Sequence, residues 1–240
     1  MKTTGNTVFI SGGSAGIGLA IAKKLQAAGN KVIINGRSEE RLENALKELD
    51  NAVAIQGDLS VPADRTRISA ELKTNHPEVN IIINNAGAAF GYSLSDTTNA
   101  YEKAAIEMNT NYLAIIHFTE LMLPHLLQME ASAVVNVSSI AVYGSHKAIP
   151  TYGATKAALH SYTTALRATY EEVKNLQVYE LYPPLVNTDF SAEIGGANGI
   201  PPSEVADELL LALGKDQLDV PVGDTKYIAA AIAAAMAQLS

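Results

Sequence analysis

The sequence of 240 residues contains no cysteine, so disulfides, thiolate metal sites and cysteine nucleophiles are removed together. Charged side chains make up only 18%, too few for a disordered chain, while the hydrophobic 48% suffices for a sizeable core. No lysine or arginine cluster interrupts a net charge of -8, which argues against a nucleic-acid or anionic-membrane partner. No apolar run has the length that a bilayer span requires, and the alanine-rich stretch 228–237 reads as a short packing helix. The opening residues run into a strand-like Thr7-Val8-Phe9-Ile10 without room for a signal peptide. These absences predict a soluble, cytoplasmic protein. Repeats, low-complexity tracts and linkers are also lacking, and the length fits one α/β domain over residues 1–240.

What is present is an alternation of two patterns. Residues 7–10, 31–34, 52–56, 80–83, 133–137 and 177–182 are short β-branched or apolar runs of the kind buried on both faces, and a last strand is expected near 219–222. Helical patterns cover 15–28, 39–49, 62–75, 100–129 and 152–174. Ser38 before Glu39-Glu40-Arg41 marks a helix start, and Gly29-Asn30 marks a helix end. This alternation predicts a doubly wound Rossmann-type parallel sheet of about seven strands, with helices on both faces and right-handed crossovers. Pro124 is expected to kink or shorten the end of the 100–129 helix. Residues 188–202, with Gly195, Gly196 and Gly199 closed by Pro201-Pro202, fit a mobile lid and an ordinary surface loop equally well.

The strongest chemical signal is Tyr152-Gly153-Ala154-Thr155-Lys156 with Ser139 thirteen residues upstream. Residues four apart on a helix share a face, so the Tyr152 hydroxyl and the Lys156 ammonium can meet over one ligand. A nearby cation favours ionised tyrosine and is expected to draw the phenol toward neutrality. Phenol as acid, ammonium as tuner and serine as hydrogen-bond donor make a device for moving a proton on or off an alcohol oxygen. Such a device needs a hydride partner.

A seat for that partner lies between the first strand and first helix, in Ser11-Gly12-Gly13-Ser14-Ala15-Gly16-Ile17-Gly18. Gly12 allows a tight turn, Gly16 and Gly18 allow close backbone approach, and Ser14 and Ile17 lie in the same turn as further candidate contacts. The helix start offers N–H groups and a positive dipole end to a pyrophosphate. At the end of the second strand, Ile34-Asn35-Gly36-Arg37-Ser38 has no carboxylate to bind the ribose hydroxyls of NAD. Arg37 can fork onto a 2′-phosphate with Ser38 as second donor, so NADP(H) is preferred and NAD(H) remains possible. Asp58-Leu59 suits the adenine end, and Asn84-Asn85-Ala86-Gly87 lets backbone lie against the dinucleotide. Phe90, Tyr143, Tyr182 and Phe190 follow strand ends and are candidate walls of a substrate pocket. No histidine has a partner at metal-ligand spacing, so no metal is expected; His117, His125 and His160 read as packing or interface residues, and His146 as an exposed loop residue.

On these motifs, together with Asn111, Val137-Ser138-Ser139 and Tyr182-Pro183-Pro184-Leu185-Val186-Asn187-Thr188, the chain resembles the short-chain dehydrogenase/reductase family over essentially its whole length. Thr110-Asn111-Tyr112-Leu113-Ala114, Leu159-His160-Ser161 and Pro183-Pro184-Leu185-Val186 are similar to its DltE-like branch. The resemblance implies a catalytic set of Asn111, Ser139, Tyr152 and Lys156, although Asn109 and Ser138 compete for two of these roles. It implies nicotinamide-side contacts from Pro183, Val186 and Thr188, and ribose contacts from Tyr152 and Lys156. Pro184 departs from the Pro-Gly usual there, which removes a backbone N–H and stiffens the turn. The implied activity is NADP(H)-dependent interconversion of a small carbonyl compound and its alcohol, by a homodimer or homotetramer. Ala157, Leu159, Tyr162 and Leu166 are apolar positions that permit such assembly. The alternative is a dinucleotide-binding sensor that has kept the fold with little turnover.

Overall fold

The computed structural model describes residues 1–237. Seven strands alternate with helices along it: β1 Thr7–Ser11, β2 Lys31–Gly36, β3 Val53–Gln56, β4 Val79–Asn84, β5 Ser132–Val137, β6 Leu176–Tyr182 and β7 Asp219–Pro221. The helices are α1 Gly16–Ala27, α2 Glu39–Leu46, α3 Pro62–Asn75, α4 Ala100–Met108, α5 Ala114–Leu126, α6 Tyr152–Thr169, α7 Pro202–Lys215 and α8 Thr225–Ala237. All strands pair in parallel in the order β3-β2-β1-β4-β5-β6-β7. The order reverses between β1 and β4, and in such sheets the crevice at the reversal is where ligands bind.

Successive side chains of a strand point to opposite faces, so each face gathers its own core. Val8 and Ile10 of β1 join Ile21 and Leu25 of α1 and Leu209 and Leu213 of α7. Phe9 joins Ile68 and Leu72 of α3 and Phe118 and Met122 of α5, with the Phe9 and Phe118 ring centroids 5.2 Å apart. Burial on both sides explains why these strands read as continuous apolar runs. Ser38 caps α2 by accepting from the Arg41 N–H at 3.3 Å.

Four expectations need correction. The segment 100–129 is not one helix: a π-helical turn, Asn109–Leu113, separates α4 from α5. Pro124 stays inside α5, which continues to Leu126, so the interruption lies elsewhere. Pro201-Pro202 does not merely close a loop. Pro202 opens α7, the first-turn position where a missing N–H costs nothing. The alanine-rich stretch does form a helix, α8, yet from Lys226 onward its described residues are mostly exposed, so it does not pack as expected.

Residues 188–202 are folded rather than extended. Two 3-10 turns, Asp189–Ile194 and Gly196–Asn198, follow a capping box between Thr188 and Ser191. Both ends are fastened: Ile200 N–H donates to the Leu185 carbonyl at 3.0 Å, and Asn187 N–H donates to the Ile200 carbonyl at 2.8 Å. A Cβ at Gly199 would lie 2.6 Å from the Leu185 oxygen, so only glycine lets these strands of backbone meet. Among the described residues no helix is long and apolar enough to cross a membrane.

Candidate active site

The crevice is built from the carboxyl ends of β1, β4, β5 and β6. Ser11 ties the first two together. Its hydroxyl accepts from the N–H groups of Asn85 (2.9 Å) and Ala86 (3.0 Å), and the Asn85 amide donates back to the Ser11 carbonyl at 2.9 Å. Gly16 opens α1 with φ +53, and a Cβ there would stand 3.1 Å from Thr188 Cγ2. The glycine turn therefore faces the start of segment 188–202 across a narrow gap. Ala15 supplies no side-chain cap and the first turn of α1 holds no acidic residue. Its N–H groups are open to an anion.

The specificity corner is equally close. A Cβ on Gly36 would lie 2.9 Å from the Ser14 hydroxyl, so Ser14 sits against the backbone just before Arg37. The Arg37 side chain is 79% exposed and stands 3.9 Å from Asp58 across the ends of β2 and β3. Asp58 Oδ1 accepts from the Ser60 N–H at 2.8 Å, and Leu59 is buried beneath. Ser14, Arg37, Ser38 and Asp58 thus surround one corner, and the glycine cradle with its open helix end fits a dinucleotide.

The second cluster forms on α6. Asn111, fully buried in the π turn, donates to the Ala88 carbonyl at 2.8 Å and to Thr155 Oγ1 at 3.0 Å, and accepts from the Ala88 N–H at 2.8 Å. Asn109 turns the other way and donates to the Ser60 carbonyl at 3.0 Å. Ser139 caps the 3-10 turn Ile140–Tyr143, accepting from Ala141 N–H at 3.1 Å, and lies near enough to Tyr152 to act on its phenol. Ser138 Oγ is buried without a partner among the described residues. The structure therefore gathers Ser139, Tyr152 and Lys156, joins Asn111 to the same helix through Thr155, and turns Asn109 toward Ser60.

Burial pushes the Tyr152 phenol well above its ordinary range; the Ser139 hydroxyl pulls it back and the Glu107 charge pushes it further up. The expectation that Lys156 draws this phenol toward neutrality is not met. Lys156 Nζ donates to the Val137 carbonyl at 2.8 Å and lies 5.7 Å from the Tyr152 ring centroid. Burial brings the lysine itself down to about 8, opposed by the charge of Glu180.

Of the proposed pocket walls, Phe190 comes within 6.3 Å of Tyr152, ring centroid to centroid, and is half exposed. The Phe90 N–H donates to Glu107 Oε1 at 2.9 Å. Tyr143 stacks on Tyr182 at 6.1 Å, but Tyr182 is buried and its hydroxyl turns to Asp219 (3.1 Å) and His160 (3.3 Å). Val186 is buried within the Pro183–Thr188 segment, whose Pro183 carbonyl accepts from Ile140 N–H at 2.9 Å. Leu159 and Leu166 lie in the core and are unavailable for assembly, whereas Ala157 is exposed.

Sequence reasoning missed Glu107, whose other oxygen accepts from the Thr151 hydroxyl at 2.6 Å and so braces the residue before Tyr152. Nothing in the local pattern separates it from a solvated helix carboxylate. It also missed Thr155, which donates to the Tyr152 carbonyl at 2.8 Å while accepting from Asn111. Its place inside the Tyr152–Lys156 motif was an available signal.

Residues 6–198 match the family described as short chain dehydrogenase. The chain belongs to that family. This short chain dehydrogenase is 36% identical over 200 residues to the uncharacterized oxidoreductase DltE of Bacillus subtilis (strain 168), covering 83% of the chain and 79% of the relative. It is 30% identical over 222 residues to a fatty acyl-CoA reductase of Acinetobacter baylyi, covering 88% and 74%. Among solved structures, a short chain dehydrogenase from Burkholderia cenocepacia J2315 in complex with NADP superimposes with a TM-score of 0.86 at 24% identity, covering 100% of this chain and 97% of that one. One from Burkholderia phymatum in complex with NAD gives 0.84 at 20% identity, covering 92% and 89%. Both structural likenesses establish the Rossmann fold of this short chain dehydrogenase. The two neighbours hold different dinucleotides.

Proposed function

We propose that this oxidoreductase interconverts a small carbonyl compound and its alcohol with NADP(H), using Tyr152 as general acid and base. The observation that carries the reading is the meeting of Ser139, Tyr152 and Lys156 at one edge of the crevice, with burial keeping the phenol protonated. A protonated phenol is the state needed to give a proton to a carbonyl oxygen.

A reduced dinucleotide bound in the crevice supplies a hydride, with its electron pair, to the carbonyl carbon. Gly12, Ser14, Gly16, Ile17 and Gly18 hold its pyrophosphate side; Leu59, Asn85, Ala86, Gly87, Pro183, Val186 and Thr188 line its length. Arg37, Ser14 and Ser38 favour a 2′-phosphate, because the corner carries an exposed guanidinium, only loosely paired with Asp58 at 3.9 Å, and two hydroxyl side chains. On the reacting side, Ser139 and Tyr152 hydrogen-bond the carbonyl oxygen, and the Tyr152 proton moves to it as negative charge develops. Lys156 opposes the charge left on the phenol. Asn111 fixes Ala88 and Thr155, and thereby the wall and the helix that carry the reaction.

The open groove between α5 and α6, lined by Ile116, Leu123, Leu127 and Tyr162, supports assembly into a homodimer or homotetramer. The test is a panel of carbonyl and alcohol substrates followed by NADPH absorbance, with NADH in parallel. Turnover of a carbonyl with NADPH supports the proposal. Dinucleotide binding with no turnover across the panel would favour a sensor.

A further inference from the structure

Glu180 is a buried carboxyl group that the proposed reaction leaves unused. It lies on β6 with 1% exposure, a costly position for such a group unless partners offset the lost hydration. One oxygen meets His160 Nδ1 at 3.0 Å, and Oε1 has no hydrogen-bond partner among the described residues. His160 lies four residues after Lys156 on α6, on the same side of that helix, and is half exposed.

Strand register brings the lysine to the same place. Val137 pairs with Leu181 across β5 and β6, and Lys156 Nζ bonds the Val137 carbonyl. The ammonium therefore rests on the strand pair one residue from Glu180, while His160 reaches Glu180 itself one helical turn later. Every charged or titratable neighbour of this pocket has a place. Tyr182 spans His160 and Asp219. Asp219 is bonded to Arg167 at 3.1 Å, Tyr143 covers Tyr182, and Tyr152 presents its ring to Lys156. Glu107 is held by the Phe90 N–H and the Thr151 hydroxyl, and Glu180, with one oxygen unpartnered among the described residues, is the carboxylate whose charge acts on the lysine.

We propose that Glu180 is a positioning residue for Lys156 that holds the ammonium charged, and that the half-exposed His160 bonded to it modulates that action through its own protonation. The assignment rests on Lys156 being the lysine of the reaction. The charge of Glu180 opposes the fall that burial imposes on Lys156, and the bond to Glu180 raises His160 above its ordinary range. When His160 is neutral, the carboxylate acts on Lys156 unopposed. When His160 is protonated, its own cation offsets that action.

The test is an NMR titration of the full chain carrying isotope-labelled lysine, with the Lys156 signal assigned by its loss in Lys156→Arg. The wild-type midpoint is expected near the lowered value of about 8. Glu180→Gln should lower it by about one pH unit, the scale for removing one close opposite charge. His160→Arg, at a half-exposed position, sets a permanent cation on the carboxylate and should shift the midpoint in the same direction. His160→Gln should leave it in place. A pair that merely fastens α6 to the sheet would change the melting temperature and not the lysine midpoint. Unchanged midpoints in both Glu180→Gln and His160→Arg would overturn the proposal, and His160→Arg decides alone if Glu180→Gln does not fold. The titration does not depend on turnover, so an inactive protein whose Lys156 responds would refute the function and leave the pair standing.

Discussion

Asn111 Nδ2 donates to Thr155 Oγ1 at 3.0 Å, tying the π turn between α4 and α5 to the helix that carries Tyr152 and Lys156. With its bonds to Ala88, this one side chain joins three segments that are distant in sequence. Asn111→Ala would strand the N–H and carbonyl of Ala88 at a half-buried site and remove the bond to Thr155, at a cost of about 1–3 kcal/mol at most. Urea denaturation should show a lower midpoint at unchanged slope, together with reduced turnover. Wild-type stability in that variant would refute the bracing role.

Tyr152→Phe removes the hydroxyl and little else. Dinucleotide affinity, measured by fluorescence titration, should stay near wild type. The rate of carbonyl reduction should fall roughly 100-fold or more, the usual worth of a positioned proton donor. A rate within a few-fold of wild type would assign the proton to another group.

Lys156 gives a signed dependence of stability on pH. Burial lowers it from its ordinary 10.5 to about 8, so between these values the unfolded chain binds more protons and stability rises with pH. Lys156→Met removes that dependence. At pH 7 the variant should be more stable by up to about 3 kcal/mol, less what the Val137 carbonyl loses. The gap should close as pH climbs through the window from 8 to 10.5. Thermal unfolding across this range checks the slope, and a constant gap would contradict the depressed value.

Arg37 should carry much of the preference for NADPH. Losing a charge-assisted bond of roughly 1.5–3 kcal/mol lowers the NADPH-to-NADH ratio of kcat/KM by about 10- to 100-fold in Arg37→Ala. An unchanged ratio would shift the burden to Ser14 and Ser38.

The sheet was legible because its inner strands, buried on both faces, leave continuous β-branched runs; the edge strands β3 and β7 are partly exposed, yet all seven were found to within a few residues. The glycine turn and the Tyr152–Lys156 motif were legible because their spacing has mechanical meaning. The π turn was not, since no proline or glycine marks Asn109–Leu113; it exists in register with contacts to Ala88 and Thr155 that only the folded chain supplies. The α7 helix was legible and overlooked: Val205, Leu209, Ala212 and Leu213 follow a helical period just after Pro202. The height of the Tyr152 phenol could not be read from neighbouring charges, because burial, a property of the whole fold, outweighs them.

The double fastening of Ile200 to Leu185 and Asn187 turns residues 188–199 into a stirrup hung from a fixed buckle. Length or sequence added beyond Ser191, whose hydroxyl donates to the Val186 carbonyl, need not disturb Val186, which lies inside the buckle. A change in this one piece would therefore alter what Phe190 sets beside Tyr152 while the sheet beneath is kept.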